Sequence, residues 1–227
     1  MSTLVTVTEA EAYTLITMDD GKANAQSFDM LKQINEALDG AEQTGKVVIL
    51  SGRPGKFSAG FDLSIMGQGG DAMIDLLRQG ANLSRRLLNW DKPVILAVSG
   101  HALAMGALLL LSADYRMGSQ GDFKLGLNEV AIGMTLPHFG VELARARLSK
   151  RHFNNAVGLA KIYDPSSAVE AGYLDEVVDA DQLQASAIAL AEQLAGLDME
   201  AHKNSKARVR SDLNAALDEA LEKELGV

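Results

Sequence analysis

Two glycine-containing loops are the places in this sequence where chemistry could occur without a reactive side chain. The first loop, residues 55–62 (GKFSAGFD), comes after the apolar run 47–50 (VVIL). The second loop, residues 100–106 (GHALAMG), comes after the apolar run 94–98 (VILAV). Such runs predict buried strands, and ligands of open α/β sheets collect beyond the carboxyl ends of the strands. Glycine lets the backbone approach a ligand closely, so one N–H group from each loop could converge on one carbonyl oxygen and stabilise an enolate or a tetrahedral oxyanion.

Nucleophilic catalysis by a side chain is not supported by the spacing of the candidate residues. His101 and His138 invite a catalytic triad, but neither is placed relative to Ser58 or Ser99 in a way that supports one. We therefore interpret His101 as a turn residue and His138 as part of a pocket wall. Cysteine is absent, which excludes thiol catalysis and disulfides.

The composition is that of an acidic globular protein. The chain has 227 residues, of which 47% are hydrophobic and 22% are charged, and its net charge is -9. This length can bury a sizeable core. No basic cluster stands out except residues 203–210, which argues against nucleic-acid binding, and no apolar run approaches the roughly 18 residues of a membrane span. No secretory signal is visible at the N-terminus, so the cytoplasm is the default location.

Alternating strand and helix patterns are expected to position the two loops. Strands are predicted as a hairpin over 4–8 and 13–18, and then at 47–50, 94–98, 115–117 and 176–178. The first helix is predicted to begin at a cap, Asn24 or Ser27, and to end at Gly45. Further helices are predicted at 71–89, from about 105, and at 138–147, 149–160, 166–171 and 181–194. The remainder of the chain to 225 is also predicted to be helical. Residues 51–70 look like a loop because they include six glycines and a proline. The alternation indicates an α/β fold with right-handed crossovers.

Five segments, in order along the chain, resemble the crotonase, or enoyl-CoA hydratase/isomerase, superfamily. They are residues 21–25 (GKANA), 57–63 (FSAGFDL), 92–106 (KPVILAVSGHALAMG), 125–129 (LGLNE) with Gly133 and Pro137, and Ala168 and Gly172 with Val177-Val178. The resemblance implies a crotonase-like spiral of ββα turns over residues 1–195 and a shortened C-terminal helical segment over 196–227. It also implies binding of an acyl-CoA thioester and assembly as a homotrimer or a hexamer.

The same resemblance assigns roles to individual residues. The two oxyanion donors correspond to the N–H groups of Phe61 and Met105, although glycine is common in the family where Met105 stands. An adenine-side contact falls at Ala59, and the pantetheine and phosphates are expected to pass Lys22 and Ala23. Further substrate contacts are expected at Gly60, Asp62, Leu63, Gly106, Leu108, Leu127, Pro137 and His138. No metal is implied, and no cofactor beyond the coenzyme A of the substrate.

The number of catalytic carboxylates separates the activities of the superfamily. Its hydratases use two glutamates to hold and activate a water molecule, and the first of these positions is occupied here by Leu108. The second corresponds to Glu129. A leucine cannot accept a proton or orient water, whereas one glutamate suffices to move a proton between two carbons. Asp62 and Glu142 occupy positions at which a carboxylate is more often structural than catalytic. If a carboxylate other than Glu129 is catalytic, Asp62 is the second choice.

The C-terminal part departs from the family pattern. The family typically continues with helices that cover the coenzyme A site of a neighbouring subunit, and that segment is expected to be shortened here. Lys203, Lys206 and Arg208 are hypothesised to replace its phosphate contacts.

The sequence therefore predicts an enoyl-CoA isomerase that shifts a 3-enoyl-CoA double bond to the 2-position with Glu129 alone. The alternatives are hydratase-like or thioester hydrolase activity of the same superfamily, and a non-catalytic acyl-CoA-binding protein.

Overall fold

The computed structural model describes residues 2–225, which form nine strands and ten α-helices. The strands are β1 (Val5–Glu9), β2 (Tyr13–Met18), β3 (Val47–Gly52), β4 (Gly55–Ser58), β5 (Val94–Val98), β6 (Gly100–Leu103), β7 (Tyr115–Ser119), β8 (Leu125–Gly126) and β9 (Glu176–Val178). The helices are α1 (Phe28–Thr44), α2 (Leu63–Met66), α3 (Gly70–Leu88), α4 (Met105–Leu111), α5 (His138–Arg147), α6 (Lys150–Val157), α7 (Pro165–Ala171), α8 (Leu183–Ala195), α9 (Met199–Val209) and α10 (Ser211–Leu225), and a 3₁₀ turn spans Val130–Ile132.

The strands are divided between two sheets. The larger sheet has the order β1-β2-β3-β5-β7-β9, and the smaller sheet has the order β4-β6-β8. Only the β1–β2 hairpin is antiparallel among the named strand pairs. The central turns of the chain each contribute one strand to each sheet and then a helix, which confirms the α/β class and the ββα spiral expected from the resemblance.

The hairpin, the first helix and the central apolar strand form as the sequence predicts. Of the two candidate caps for α1, Ser27 is the one used, since its Oγ accepts the N–H of Met30 at 3.2 Å. Strand β5 is buried at every position, and so is α4, because one lies inside the larger sheet and the other is surrounded by apolar side chains. Helix α4 begins at Met105, as predicted.

The prediction that residues 51–70 form a loop is wrong. The segment contains strand β4 and the one-turn helix α2. Strand β4 pairs with β6, which lies some 45 residues further along the chain, so no local pattern reveals it. Helix α2 is made possible by Asp62, whose Oδ1 accepts the N–H of Ser64 at 2.8 Å.

The C-terminal helices pack on the spiral. Leu217, Leu221 and Leu225 of α10 are buried in the same hydrophobic cluster as Leu83 and Leu87 of α3. The division of the chain at residues 195/196 stays a prediction. Among residues 2–225, no helix is both long enough and apolar enough to cross a bilayer.

A buried ion cluster attaches α9 to the spiral. Asp114 accepts Lys206 Nζ at 2.6 Å, Arg210 Nη2 at 2.7 Å and the N–H of Val94 at 2.8 Å. Lys206 also donates to the carbonyl of Lys92, and only 8% of Lys206 is exposed. The hypothesis that Lys206 contacts a phosphate is therefore wrong, because its ammonium group is already paired inside the protein.

Candidate active site

The first loop is held in place by backbone hydrogen bonds to residues 23–26. The N–H of Ala59 donates to the carbonyl of Ala23 at 2.9 Å, and the N–H of Gln26 donates to the carbonyl of Gly60 at 2.8 Å. The N–H of Asp62 donates back to Gln26 at 3.3 Å. Phe61 therefore lies in a strand-like segment with the residues on both sides of it anchored.

Buried polar side chains fix this loop further. Asn24 is fully buried with a positive φ of 52°, and its Nδ2 donates to the carbonyls of Met18, Lys56 and Phe57 at 3.0–3.1 Å. Ser58 Oγ donates to the carbonyl of Asn24 at 2.8 Å and accepts the N–H of Gly60 at 3.2 Å. The loop is thus pre-positioned by side chains that are themselves buried.

The second loop reaches the same point from the other side. Ala104 has a φ of 50° and a ψ of -123°, and its N–H donates to the carbonyl of Gly126 at 3.0 Å. Met105 follows as the first residue of α4, where a backbone N–H has no partner inside its own helix. In the part of the chain that the structure describes, the hydrogen bonds include no acceptor for the N–H of Met105 or of Phe61.

Gly60 is the residue at which the two loops touch. A Cβ atom at this position would lie 2.6 Å from Ala104 Cβ and 3.2 Å from the nitrogen of Met105, and the φ of Gly60 is +97°. The close approach brings the backbone amides of residues 61 and 105 near one another. The geometry fits a pair of donors for one oxyanion.

Gly60→Ala is expected to reduce kcat by about 10²-fold or more, because the new methyl group would displace the Ala104–Met105 backbone and remove one oxyanion donor. The measurement is turnover at saturation of an enoyl-CoA, the substrate class that the family resemblance implies. Gly55→Ala is the matched control, since Gly55 also has a positive φ of 79° but has open space where its Cβ would be. Equal losses of kcat in the two variants would contradict the assignment of the oxyanion pair.

The side chain of Met105 is buried against α3. Met105 is fully buried, and its Cε lies 3.3 Å from where a Cβ on Gly80 of α3 would be. Phe61 also packs against Gly80, with its Cε1 atom 2.5 Å from the same position. Two bulky side chains at the loop positions are therefore accommodated by a glycine on the facing helix.

A pocket of about 350 Å³ opens beside the two amides. It is lined by Ala59, Phe61, Leu63, Met66, Met73, Leu77, Ala104, Leu108, Asn128, Glu129, Ile132, Met134, Thr135, Pro137 and Glu224. Most of these side chains are apolar, and two are carboxylates. An apolar pocket with few polar groups suits a small, largely apolar ligand.

Glu129 is the buried carboxylate of the pocket. Only 7% of the residue is exposed, and its Oε2 has no hydrogen-bond partner among the described residues. Burial raises the pKa of Glu129 from 4.5 to about 7. Two other buried oxygens, Asn128 Oδ1 and Tyr173 Oη, are also without partners in this part of the structure. A carboxyl group with a pKa near neutrality can both accept and return a proton.

Leu108 stands at the position where the resemblance implies a second carboxylate in hydratases. It is 1% exposed and lines the pocket one turn into α4. A Cβ on Gly140 of α5 would lie 3.2 Å from Leu108 Cδ1, so the leucine side chain fills the space between α4 and α5. The part of the pocket wall that α4 forms through Leu108 is therefore apolar.

The remaining predicted site residues have different environments. Ala59, Phe61, Leu63, Leu108, Glu129 and Pro137 line the pocket, whereas Gly60, Met105, Gly106 and Leu127 lie behind its walls. Lys22 is exposed and Ala23 is half-buried on the approach to the first loop. His138 is exposed at the start of α5. The structure brings these residues to one end of the spiral without placing all of them on the pocket surface.

Asp62 has a structural role in this arrangement. Its carboxylate accepts both the hydroxyl of Ser64 at 2.6 Å and the N–H of Ser64 at 2.8 Å. The side-chain hydrogen bond from Ser64 is the main cause that lowers the pKa of Asp62. Asp62 therefore caps α2, and this use argues against the second-choice carboxylate of the sequence prediction.

Several lining residues were not identified from the sequence. Met73 and Leu77 lie at helical spacing within the predicted helix 71–89, so periodicity could have suggested that they face the core. Glu224 carries no such signal, because its presence in the pocket depends on how α10 docks. Within residues 2–225, no three His, Asp or Glu side chains are grouped closely enough to hold a metal ion.

The ββα spiral carries two free backbone amides and a buried carboxylate at one pocket, an arrangement that could stabilise an enolate. The family model described as enoyl-CoA hydratase/isomerase matches residues 8–227. The chain belongs to this family.

Known relatives include proteins named as isomerases and as hydratases. Human mitochondrial enoyl-CoA delta isomerase 1 is 28% identical over 82% of this chain and 64% of its own length, so the chain spans under two thirds of that relative. The short-chain-enoyl-CoA hydratase of Clostridium acetobutylicum is 30% identical over 91% of this chain and 81% of its own length. A crystal structure of an enoyl-CoA hydratase/isomerase family protein from Pseudomonas syringae has 47% identity and a TM-score of 0.95, covering 97% of this chain and 96% of that one.

Proposed function

We propose that this protein is an enoyl-CoA isomerase that converts a 3-enoyl-CoA to its 2-isomer with Glu129 as the single acid and base. The observation that carries the proposal is the pairing of a buried, unpartnered Glu129 with an apolar Leu108 in one pocket. Relatives named as isomerases and relatives named as hydratases are about equally similar to this chain in sequence. The choice between the two activities therefore rests on the side chains of the site.

The proposed reaction moves one proton between two carbons. The thioester oxygen accepts hydrogen bonds from the amides of Phe61 and Met105, and Glu129 removes a proton from C2. The C2–H electron pair forms the dienolate, whose negative charge rests mainly on the thioester oxygen. Glu129 then returns the proton to C4, the C2–C3 double bond forms and the thioester carbonyl is restored. The amides stabilise the intermediate, each by about 3 kcal/mol, and a positioned base adds about 10²–10⁴-fold in rate.

Leu108 supports isomerisation over hydration. A hydration mechanism that uses two glutamates needs a second carboxylate to hold the attacking water, and a leucine cannot provide it. Thioester hydrolysis and non-catalytic acyl-CoA binding remain the alternatives within the same fold. A buried carboxylate without a partner is costly in a protein that only binds, which favours a catalytic role for Glu129.

The reaction is expected to depend on pH through Glu129. Burial raises the pKa of this carboxyl to about 7, and the base must be ionised to take the C2 proton. We therefore expect kcat/KM to fall about tenfold for each pH unit below 7 and to level off above it. A profile of kcat/KM between pH 5 and 9 measures this, and a flat profile through pH 7 would exclude Glu129 as the base.

The experiment that tests the function is parallel turnover of a 3-enoyl-CoA and a 2-enoyl-CoA. Conversion of the 3-enoyl substrate to its 2-isomer, without comparable hydration of the 2-enoyl substrate, is the expected result. Comparable hydration would show that the site works as a hydratase despite Leu108. Binding of both thioesters without turnover would favour the binding protein. The homotrimer or hexamer, the cytoplasmic location and the lack of any cofactor beyond coenzyme A stay predictions.

A further inference from the structure

The end of helix α10 contributes a carboxylate to the wall of the pocket. Glu224 Oε2 accepts the N–H of His138, the first residue of α5, at 2.7 Å. The carbonyl of the next residue, Leu225, accepts Nη2 of Arg78 on α3 at 3.2 Å, and Leu225 itself is buried. The end of α10 therefore bridges α3 and α5 at the pocket, and Glu224, an exposed residue, is held there through its bond to His138 and the docked backbone of Leu225.

Glu224 lies in the part of the pocket that an acyl tail would enter. The thioester is placed by the proposed function at the amides of Phe61 and Met105, beside Glu129. The walls that remain for the tail include the apolar side chains Met66, Met73, Leu77 and Pro137. Pro137 immediately precedes the residue to which Glu224 is bonded, so the carboxylate lies next to this apolar surface.

Moving the Glu224 carboxylate away from the start of α5 would cost favourable interaction energy. Its bond to the His138 amide is charge-assisted, which makes it stronger than a neutral hydrogen bond. It also lies at the N-terminal end of α5, where a negative charge is favoured by the helix dipole. A tail that reached this point would have either to displace Glu224 or to remove water from its charge, and both are unfavourable.

We propose that Glu224 sets the length of the acyl chain that the pocket accepts. The inference rests on the proposed function, because it takes the thioester to lie at Phe61 and Met105. Each methylene that packs on the apolar wall should strengthen binding about fourfold. Methylenes that meet Glu224 add nothing, since their burial is offset by the desolvation of the carboxylate. Affinity therefore rises with chain length until the tail reaches Glu224 and then stops rising.

Titration calorimetry with saturated acyl-CoAs from butyryl to dodecanoyl tests this without turnover. The wild type should show rising affinity followed by a plateau. Glu224→Leu should move the plateau to longer chains and strengthen binding of a chain two methylenes beyond it by about fifteenfold, because those two methylenes are then buried at about fourfold each. Glu224→Gln keeps an oxygen that can accept the His138 N–H but has no charge, so it should move the plateau in the same direction and by less.

Glu222→Leu is the matched control, because Glu222 is exposed on the same helix and is not among the pocket-lining residues. Its chain-length profile should equal that of the wild type. Unchanged affinity for butyryl-CoA in every variant establishes that the pocket is intact. Identical profiles in wild type and Glu224→Leu would overturn the inference about Glu224 alone, as would a wild type without a plateau. A wild type that binds no acyl-CoA of any length would overturn the proposed function as well.

Discussion

Glu129→Gln is expected to lower the rate of isomerisation by at least 10²–10⁴-fold, because glutamine fills the same space but cannot remove the C2 proton. The measurement is kcat with a 3-enoyl-CoA at saturation. Affinity for the substrate should change little, since in the proposed mechanism Glu129 acts on the reacting carbons and backbone amides hold the thioester. Full activity in the variant would remove Glu129 from the mechanism.

The same substitution is expected to change the pH dependence of stability. The folded pKa of Glu129, about 7, lies above the ordinary value of 4.5, so the folded state binds its proton more tightly than the unfolded state does. The carboxyl group therefore disfavours folding once the pH rises above 4.5, and this effect is complete above pH 7. Between pH 4 and pH 8 the wild type should lose about 3 kcal/mol of unfolding free energy relative to Glu129→Gln.

Denaturant unfolding of both proteins across this range measures the difference. Glu192→Gln, at an exposed position of α8, provides the control for loss of one negative charge. Parallel stability curves for wild type and Glu129→Gln would show that the carboxyl is not perturbed by burial. Lower activity together with higher stability at pH 8 would identify Glu129 as a residue kept for catalysis at the expense of folding.

Asp114→Ala is expected to lower the free energy of unfolding by about 3–5 kcal/mol, because it leaves two buried cations without their partner. Lys206 and Arg210 are only 8% and 6% exposed, and Asp114 is the carboxylate that both contact. Arg210 also donates to the carbonyl of Leu88, which alone cannot balance its charge. Loss of the cluster should weaken the docking of α9 and, through it, of α10.

Asp91→Ala offers a closely matched comparison. Asp91 pairs at 2.6 Å with Lys203, which lies on α9 as Lys206 does. The distance is the same as in the Asp114–Lys206 pair. The side chains of Asp91 and Lys203 are 57% and 54% exposed, so their pair should contribute about 0–1 kcal/mol. Equal losses of stability in the two variants, measured by denaturant unfolding, would contradict the importance given to the buried cluster.

Much of the fold could be predicted because its main elements carry strong local patterns. The β1–β2 hairpin, β3, β5 and the helices α1, α3, α4 and α5 follow apolar runs or periodic apolar faces that end at capping residues. The smaller sheet was missed because β4, β6 and β8 have only two to four residues each and are stabilised by pairing with distant segments. Local sequence does not record such pairing.

The site was predicted in part, and the limit has a physical cause. The resemblance pointed to Glu129, Phe61, Met105 and Leu108, but the burial that raises the pKa of Glu129 depends on how segments distant in the sequence pack around the pocket. Charge alone also misled the interpretation of Lys206, since a lysine that bonds to phosphate and one that is buried with Asp114 look the same in a sequence. Glu224 was missed for a related reason, because its role depends on where α10 ends.

The strand order of the larger sheet has a consequence for synthesis of the protein on the ribosome. Because β1, β2, β3, β5, β7 and β9 are neighbours in the order in which they are translated, every new strand finds its partner already made. The nascent sheet therefore grows from one edge, and non-local pairing need not wait for the whole chain. The ion cluster of Asp114 does have to wait for a distant part of the chain. Its partners Lys206 and Arg210 are 92 and 96 residues later in the sequence. Until α10 has also emerged, the apolar faces of α3 and α5 that it later covers remain exposed, and the nascent chain is then most prone to aggregate.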